Sequence, residues 1–253
     1  MHLTKGSASD APSRHLLRYS AVAAGCAALF GVLLILVDTH WGPMARFDQD
    51  WIDSAHGYAR GHAAWTAAVQ MLSDIGGTAT MRVLLALAAA WLWLIGARVL
   101  AGWTAAQCLV GWAVQWGLKL SAGRSRPHFG DPVAHASGPA FPSGHAMASA
   151  LTCAILVLLL RPHSNRAGRA TATTAAAVTV LTIGWTRIAL GVHWPSDVLA
   201  GWLAAGAVLG TVTVAVELWR PGALARDVRR VNWRVRPRVQ RVLASTPAPG
   251  RER

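Results

Sequence analysis

The stretch Trp185-Thr-Arg-Ile-Ala-Leu-Gly-Val-His-Trp-Pro-Ser-Asp197 is a polar island between two long apolar runs. Pro195 suits the first position of a helix, so the stretch predicts a helix entrance at one of the two residues before it, with Asp197 in the first turn. A carboxylate there can hold one ring nitrogen of His193 and leave the other facing outward, as in a catalytic triad. Arg187 adds a permanent cation whose planar fork of donors suits phosphate oxygens.

The apolar runs beside this island belong to a series that extends over most of the chain. Of the 253 residues, 53% are hydrophobic and 14% are charged. Residues 19–37 contain no charged side chain, and a soluble helix seldom needs so long an apolar run. Because such runs recur, the composition indicates a polytopic membrane protein rather than one large soluble core.

Six apolar segments are predicted to cross the membrane, which gives an all-α, six-transmembrane-helix bundle within residues 19–218. The predicted spans are 19–38, 81–97, 99–118, 145–160, 170–185 and 198–216. The basic turn at Arg98 and the basic loop 161–169 fit the cytoplasmic side of a cell membrane. A cytoplasmic tail is therefore predicted for residues 1–18, both termini are predicted to be cytoplasmic, and the polar island is predicted to lie on the extracytoplasmic side.

Residues 38–78 form the longest stretch without a clear span. Apolar residues recur there at helical spacing with polar residues between them, which predicts two amphipathic helices on the extracytoplasmic face. The apolar positions are Phe47, Trp51, Ala55 and Tyr58, followed by Trp65, Val69, Leu72 and Ile75. Trp41, Trp51 and Trp65 are expected to anchor these helices at the membrane interface.

The net charge of +13 does not by itself indicate nucleic-acid binding. The basic residues collect at the chain ends and in short loops, the distribution expected of cytoplasmic flanks rather than of a soluble nucleic-acid-binding fold. From Arg220 the chain is rich in arginine and interrupted by proline. We expect residues 219–253 to form a disordered, basic cytoplasmic tail that is drawn to anionic lipid headgroups, with no nucleic-acid partner.

Two further polar clusters are predicted to face the same side as the island. The first is Lys119, followed after six residues by Arg126-Pro127, and Gly123 between them favours an unwound helix end. The second is Pro142-Ser-Gly-His145, which opens a predicted span and so offers unpaired amides and the positive end of a helix dipole. In this tetrapeptide Gly144 lets the backbone approach a ligand, and Ser143 adds a hydroxyl.

Together the three clusters suit phosphoryl transfer, in which catalysis consists mainly of positioning and neutralisation of charge. They supply three cations, two histidines and one carboxylate: Lys119, Arg126, Arg187, His145, His193 and Asp197. Metal-dependent phosphatases use clustered carboxylates, whereas the predicted outer loops carry only scattered ones such as Asp131. We therefore expect the cations to act where a metal ion would, with no metal and no cofactor.

In order and spacing the clusters resemble the signature of the type 2 phosphatidic acid phosphatase superfamily. That signature is Lys-x6-Arg-Pro, then Pro-Ser-Gly-His, then Ser-Arg-x5-His-x3-Asp. Here Thr186 stands in place of the serine and keeps a hydroxyl. The resemblance implies a six-helix membrane fold and a metal-independent phosphatase.

The resemblance also assigns roles to individual residues. It implies that His193 attacks phosphorus to form a phosphohistidine, that Asp197 orients His193, and that His145 protonates the leaving oxygen and then activates water. It implies that five residues bind the phosphate oxygens: Lys119, Arg126, Ser143, Gly144 and Arg187. Arg124 is an additional cation without an assigned role, and His128 and His135 are interpreted as polar loop residues.

The membrane setting favours a phosphate carried on a lipid tail and argues against soluble acid phosphatases and haloperoxidases of the same superfamily. Undecaprenyl diphosphate, phosphatidate and phosphatidylglycerol phosphate all remain candidate substrates, with the carrier-lipid diphosphate ranked first. The alternative is a membrane protein that binds or transports lipid phosphate without hydrolysis. The polar residues gather at one face rather than at paired helix breaks near the midplane, which argues against a transporter. The sequence does not indicate an oligomeric state.

Overall fold

The computed structural model describes residues 10–231, and within this range the chain is helical without a β-strand. The helices are α1 (Asp10–Asp38), α2 (Gly42–Gly61), α3 (Ala63–Ile75), α4 (Thr78–Leu94), α5 (Arg98–Ala122), α6 (Gly144–Leu160), α7 (Arg166–Ala189), α8 (Pro195–Trp219) and α9 (Ala223–Val231). A short 3-10 turn, Arg161–His163, joins α6 to α7. The predicted all-α membrane fold is confirmed.

Helix α8 is the centre of the bundle and packs against α1, α5 and α6. The largest buried apolar cluster lies where α4, α5, α6 and α8 meet, and it includes Leu92, Trp103, Ile155 and Val208. Small residues let α8 approach its neighbours closely. A Cβ on Gly201 would lie 2.6 Å from the backbone oxygen of Ser143 just before α6, which brings the first turns of α6 and α8 side by side.

The outer surface of the bundle is apolar, as expected of a multi-pass membrane protein. Within residues 10–231, four helical segments are long and apolar enough to cross a membrane: His15–Asp38, Ala63–Leu94, Gly144–His163 and Pro195–Trp219. Large apolar side chains such as Leu29 and Leu87 remain exposed, because their expected neighbours are lipid tails rather than other helices. The count of six spans stays a prediction, since α5 and α7 are not among these four segments.

Residues 38–78 form two helices, α2 and α3, separated at His62. In α2 the buried face consists of Asp48, Ile52, His56 and Ala59, and it packs toward α7 and α8. The predicted aromatic stripe lies on the neighbouring face, about 100° around the helix, where Trp51 is 52% exposed. The helix therefore faces the bundle with Ile52 and two polar side chains, Asp48 and His56, and presents its aromatic residues outward.

Helices extend into both segments that the sequence predicted to be tails. Helix α1 begins at Asp10, inside the segment predicted as an N-terminal tail, and the prediction of disorder from Arg220 onward is wrong for residues 223–231. These residues form α9, whose Asp227 carboxylate accepts hydrogen bonds from the amides of Val99, at 2.8 Å, and Leu100, at 3.1 Å. Tertiary contact with the unpaired amides at the start of α5 stabilises α9. Residues 1–9 and 232–253, the rest of the predicted tails, lie outside the described residues.

Candidate active site

The polar clusters meet at the end of the bundle where α5 and α7 end and α6 and α8 begin, beneath the loop of residues 123–143. Helix α5 ends in a left-handed cap at Gly123, with φ +56°, so the helix is unwound between Lys119 and Arg126 as predicted. Lys119 is buried, and its ammonium group donates to the carbonyl of Pro139 in the loop. The cap therefore lets both cations of the first motif turn toward the same space.

His193 and Asp197 lie at the entrance to α8. Trp194 is the N-cap and Pro195 the first helical residue, which agrees with the helix start predicted from the sequence. Asp197 Oδ2 accepts from the backbone amide of Trp194, at 2.9 Å, and lies 3.3 Å from His193 Nδ1. His193 is 2% exposed and Asp197 is 0% exposed. The helix start thus fixes the carboxylate, and the carboxylate in turn fixes the ring.

Arg126 lies on the other side of the His193 ring. Its Nη1 donates to the carbonyl of Val192, at 2.7 Å, and lies 3.0 Å from His193 Nε2. Its remaining nitrogens donate to the carbonyls of Ser137, Gly138 and Pro139. Because a guanidinium only donates, Nε2 must accept, so the ring proton is on Nδ1 and points to Asp197. Nε2 therefore keeps a lone pair directed into the site.

His193 is held in its neutral form. Burial lowers its pKa from the ordinary 6.5 to about 4, the hydrogen bond and charge of Asp197 partly oppose this shift, and Arg126 and Arg187 add to it. A neutral imidazole with its lone pair on Nε2 is the form required of a nucleophile near neutral pH.

Arg187 lies in the last turn of α7, because the helix runs to Ala189 rather than ending at Trp185 as predicted. Its side chain is buried, and Nη1 donates to the hydroxyl of Ser73 near the end of α3. Arg187 Nε and the hydroxyl of Ser143 are buried without a hydrogen-bond partner among residues 10–231. Buried polar groups are seldom left unpaired, so these two groups fit a site for a polar ligand.

The Pro-Ser-Gly-His motif lies at the start of α6. The backbone amide of Ser143 donates to the carbonyl of Asp197, at 2.9 Å, which joins the entrances of α6 and α8. A Cβ on Gly144 would lie 2.5 Å from Nε2 of Gln115, so a larger residue here would displace that side chain of α5. The first-turn amides of α6 therefore open toward the same space as His193.

His145 follows on α6 and faces the junction between α3 and α4. A Cβ on Gly77 would lie 3.9 Å from its Nε2. Its ring lies within electrostatic range of His193, Lys119, Arg126 and Arg187. The structure therefore brings all eight sequence-predicted site residues to one end of the bundle.

Sequence reasoning missed the residues that surround Asp197 from the other side. Arg124, left without a role by the sequence, donates through Nη1 to Asp197 Oδ1, at 2.6 Å, and through Nη2 to Asp48 Oδ2, at 2.8 Å. Asp48 also accepts from the backbone amide of Ser196, at 3.0 Å, and from its hydroxyl. The sequence offers a signal for Asp48, which falls four residues before Ile52, on the helical face next to the aromatic stripe.

The assembled site has the character of an anion site. The two histidines are surrounded by three buried or half-buried cations and by the entrance of α6. That entrance adds two neutral donors, the hydroxyl of Ser143 and the amide of Gly144. One carboxylate, Asp197, holds His193. Within the described part of the chain, no group of three His, Cys, Asp or Glu side chains is arranged so that it could hold a metal ion. This donor set fits the oxygens of a phosphate group.

Known proteins share both the sequence pattern and the fold. The model of the PAP2 superfamily matches residues 90–221. The chain is similar to a solved structure described as the first transmembrane PAP2 type phosphatidylglycerolphosphate phosphatase from Bacillus subtilis, with a TM-score of 0.64, 21% sequence identity, and coverage of 79% of this chain and 98% of that one. No curated protein matches the chain. At this identity the structural likeness shows the common fold alone.

Proposed function

This chain belongs to the PAP2 superfamily, and we propose that it is a metal-independent membrane phosphatase that hydrolyses a phosphomonoester or diphosphate of a lipid through a phosphohistidine intermediate. The observation that carries the proposal is the arrangement around His193. Nδ1 is directed to Asp197, at 3.3 Å, while Nε2 accepts from a cation suited to phosphate. One nitrogen is thus oriented, and the other carries the lone pair that can attack phosphorus once a phosphate oxygen takes over the contact with Arg126.

In the first step the Nε2 lone pair of His193 attacks phosphorus and the bond from phosphorus to the leaving oxygen breaks. His145, which is protonated when the anionic phosphate is bound beside it, gives this proton to the leaving oxygen. In the second step water loses a proton to His145 and attacks phosphorus, the phosphorus–nitrogen bond breaks, and His193 and His145 return to their starting states. Asp197 stabilises the positive charge that develops on the ring of His193.

The phosphate oxygens would be held by cations and by the entrance of α6. Lys119, Arg126 and Arg187 neutralise the charge, and the hydroxyl of Ser143 and the amide of Gly144 donate to the remaining oxygens. Such donors are most effective where water is excluded, and Lys119 and Arg187 are buried. The unpartnered Arg187 Nε and Ser143 hydroxyl support this assignment.

A lipid substrate is supported by the position of the site at one end of an apolar bundle, next to α2. Trp51 and Phe47 lie on the outer face of that helix, and Asp48 on its inner face contacts the site. A phosphate at the site could therefore stay attached to a tail in the membrane. The candidate lipids are undecaprenyl diphosphate, phosphatidate and phosphatidylglycerol phosphate, the last being the substrate in the name of the similar solved structure.

We place the site on the extracytoplasmic side and both termini in the cytoplasm. The basic turn at Arg98, the basic loop around Arg161 and Arg169, and the arginines of α9 lie at the end of the bundle opposite the site. Basic residues concentrate on the cytoplasmic side of membrane proteins. These arginines, and the basic segment after α9, are the expected contacts for anionic lipid headgroups.

The test is phosphate release by the detergent-solubilised protein from phosphatidate, phosphatidylglycerol phosphate and prenyl diphosphates in the presence of EDTA. We expect turnover with EDTA, an acid-labile phosphoenzyme in quenched reactions, and loss of both in His193→Ala. Strict dependence on added Mg²⁺, or full turnover by His193→Ala, would contradict the proposal. Binding of lipid phosphate without release by the wild type would favour the alternative, a lipid-phosphate-binding or transport protein.

A further inference from the structure

We infer that Asp48 and Arg124 are positioning residues of this phosphatase, and that they hold Asp197 in the orientation in which it orients His193. The inference rests on the proposed function and extends it beyond the three sequence motifs. Arg124 falls in the six-residue spacer of the first motif, where the signature specifies no residue type. Asp48 lies in α2, outside residues 90–221 that match the family model.

The contacts form a continuous path from α2 to the nucleophile. Arg124 donates through Nη2 to Asp48 Oδ2, at 2.8 Å, and through Nη1 to Asp197 Oδ1, at 2.6 Å. The other oxygen of Asp197, Oδ2, lies 3.3 Å from His193 Nδ1. Arg124 also packs over the ring of Trp194, at 5.4 Å from the ring centroid. The guanidinium is therefore fixed by two carboxylates and an aromatic ring, and it has little freedom to release Asp197.

The two oxygens of Asp197 are divided between different partners. Arg124 holds Oδ1, while Oδ2 faces His193 Nδ1 and the backbone amide of Trp194. A carboxylate bound at both oxygens cannot rotate about its terminal torsion, so Oδ2 stays in line with the imidazole. Arg124 and the backbone amide of Trp194 therefore together hold the direction of the Asp197 carboxylate.

Asp48 contributes charge as well as position. It is 1% exposed and binds Ser196 in the first turn of α8 through both oxygens, which seats α2 on the helix that carries Asp197. A buried carboxylate requires a cation, and Arg124 is the cation that Asp48 and Asp197 share. Two buried negative charges and one positive charge therefore stand behind His193.

This charge arrangement predicts that the pKa of His193 shifts in opposite directions when Arg124 or Asp48 is neutralised. The groups that face His193 are Asp197 on α8, Arg126 in the 123–143 loop, Arg187 on α7 and His145 on α6, with Asp48 and Arg124 behind Asp197. Removing the positive charge of Arg124 raises the pKa of His193, and removing the negative charge of Asp48 lowers it. Because His193 attacks in its neutral form, the acidic limb of kcat/KM shifts with that pKa.

The experiment compares pH profiles of kcat/KM for the wild type, Asp48→Asn, Arg124→Gln and Asp50→Asn, with thermal stability in detergent measured for each. Asp50 is an exposed carboxylate on the same helix and serves as the matched control. We expect the acidic limb to move to higher pH in R124Q and to lower pH in D48N, with kcat/KM at the optimum about 10- to 100-fold lower in both. D50N should match the wild type.

Opposite shifts of the acidic limb in R124Q and D48N distinguish positioning from simple support of the fold. A general loosening of the site would not move the pH profile of kcat/KM in two directions. Folded D48N and R124Q variants whose acidic limbs do not move, or move in the same direction, would overturn the inference. Arg124→Lys keeps the charge but loses the planar fork, so we expect lower kcat with an unshifted limb. If R124Q and D48N do not fold, R124K still tests the inference. Full activity of R124K would show that the paired contacts of Arg124 with Asp48 and Asp197 are dispensable.

Failure of this inference is separable from failure of the proposed function. The proposed function fails if the wild type releases no phosphate or if His193→Ala retains turnover. The positioning role fails by itself if the wild type turns over with a requirement for His193 while D48N and R124Q keep the wild-type pH profile.

Discussion

The guanidinium of Arg126 lies against the imidazole of His193, with Nη1 3.0 Å from Nε2. A residue predicted to bind phosphate thus contacts the nitrogen predicted to attack phosphorus. The contact fixes the tautomer of His193, since the arginine only donates. A phosphate oxygen that accepts from Arg126 would be close to Nε2, so one side chain orients both reactants.

Replacing Arg126 by lysine tests this double role. Lysine keeps the charge but has no planar fork, so it cannot contact the loop carbonyls, Val192 and a phosphate together. We expect kcat/KM to fall by about 10²- to 10³-fold, most of it in kcat, with little change in thermal stability. Steady-state kinetics on a lipid phosphate measure this, and Arg46→Lys, an exposed arginine on α2, is the control. A loss of less than about tenfold would contradict the assignment.

The acidic side of the pH profile should reflect the depressed pKa of His193. Burial lowers that pKa to about 4, so the ring stays neutral as the pH falls through the ordinary value of 6.5. The rate of phosphoenzyme formation should remain nearly constant from about pH 7 down to about pH 5 and fall below that. Rapid-quench measurement of the phosphoenzyme tests this, and a fall centred near pH 6.5 would show that the ring titrates normally.

The lowered pKa of His193 also predicts how the stability of the folded protein depends on pH. The unfolded chain binds a proton at His193 near the ordinary pKa of 6.5, whereas the folded protein binds it only near 4. Between these values the unfolded state holds more protons, so stability decreases as the pH falls through this window. Replacement of His193 by glutamine should reduce the slope of melting temperature against pH in this range, and an unchanged slope would contradict the prediction.

Gly201 should be required for the close packing of α8 against the start of α6. A Cβ there would lie 2.6 Å from the carbonyl oxygen of Ser143, so Gly201→Ala must displace the helix entrance that carries the phosphate-binding amides. We expect a loss of activity of at least about tenfold and destabilisation of about 1–3 kcal/mol. Gly102→Ala is the matched control and should keep full activity, because a Cβ at this position on α5 would meet open space.

The outer face of α2 should matter for lipid substrates only. Trp51 is exposed on this face, so a charge there disfavours contact with the membrane interface without touching the site. We expect Trp51→Glu to reduce kcat/KM for a lipid phosphate by about tenfold or more and to leave a small soluble phosphate ester nearly unchanged. Trp219→Glu, an exposed tryptophan at the opposite end of the bundle, is the control. Equal losses on both substrates would count against a substrate entrance at α2.

The parts of the site that the sequence predicted correctly are those defined by nearby residues. Pro195 marks the start of α8, and Gly123 marks the end of α5, because each depends on backbone geometry within one turn. The end of α7 was predicted four residues too early, since Arg187 was interpreted as a loop cation. In the structure Arg187 belongs to the last turn of α7, and its guanidinium donates to the hydroxyl of Ser73.

The helix α9 and the role of Arg124 could not be predicted because both depend on distant partners. The segment after α8 is polar and arginine-rich, and by itself it favours disorder, but Asp227 contacts the amide of Val99, which lies 128 positions earlier in the chain. Arg124 is an ordinary loop residue until Asp48 and Asp197 approach it from two helices.

The sequence by itself determined the apolar helices, the three motifs and the family, because hydrophobic periodicity, helix caps and short spacings act over a few residues. Only the tertiary structure decided which charges pair, because that depends on how α2, α7 and α8 pack against one another. Asp48 and Ser196 are 148 positions apart in the chain, and no local rule joins them. Their contact exists because burial of a carboxylate requires donors, and the fold supplies them at the entrance of α8.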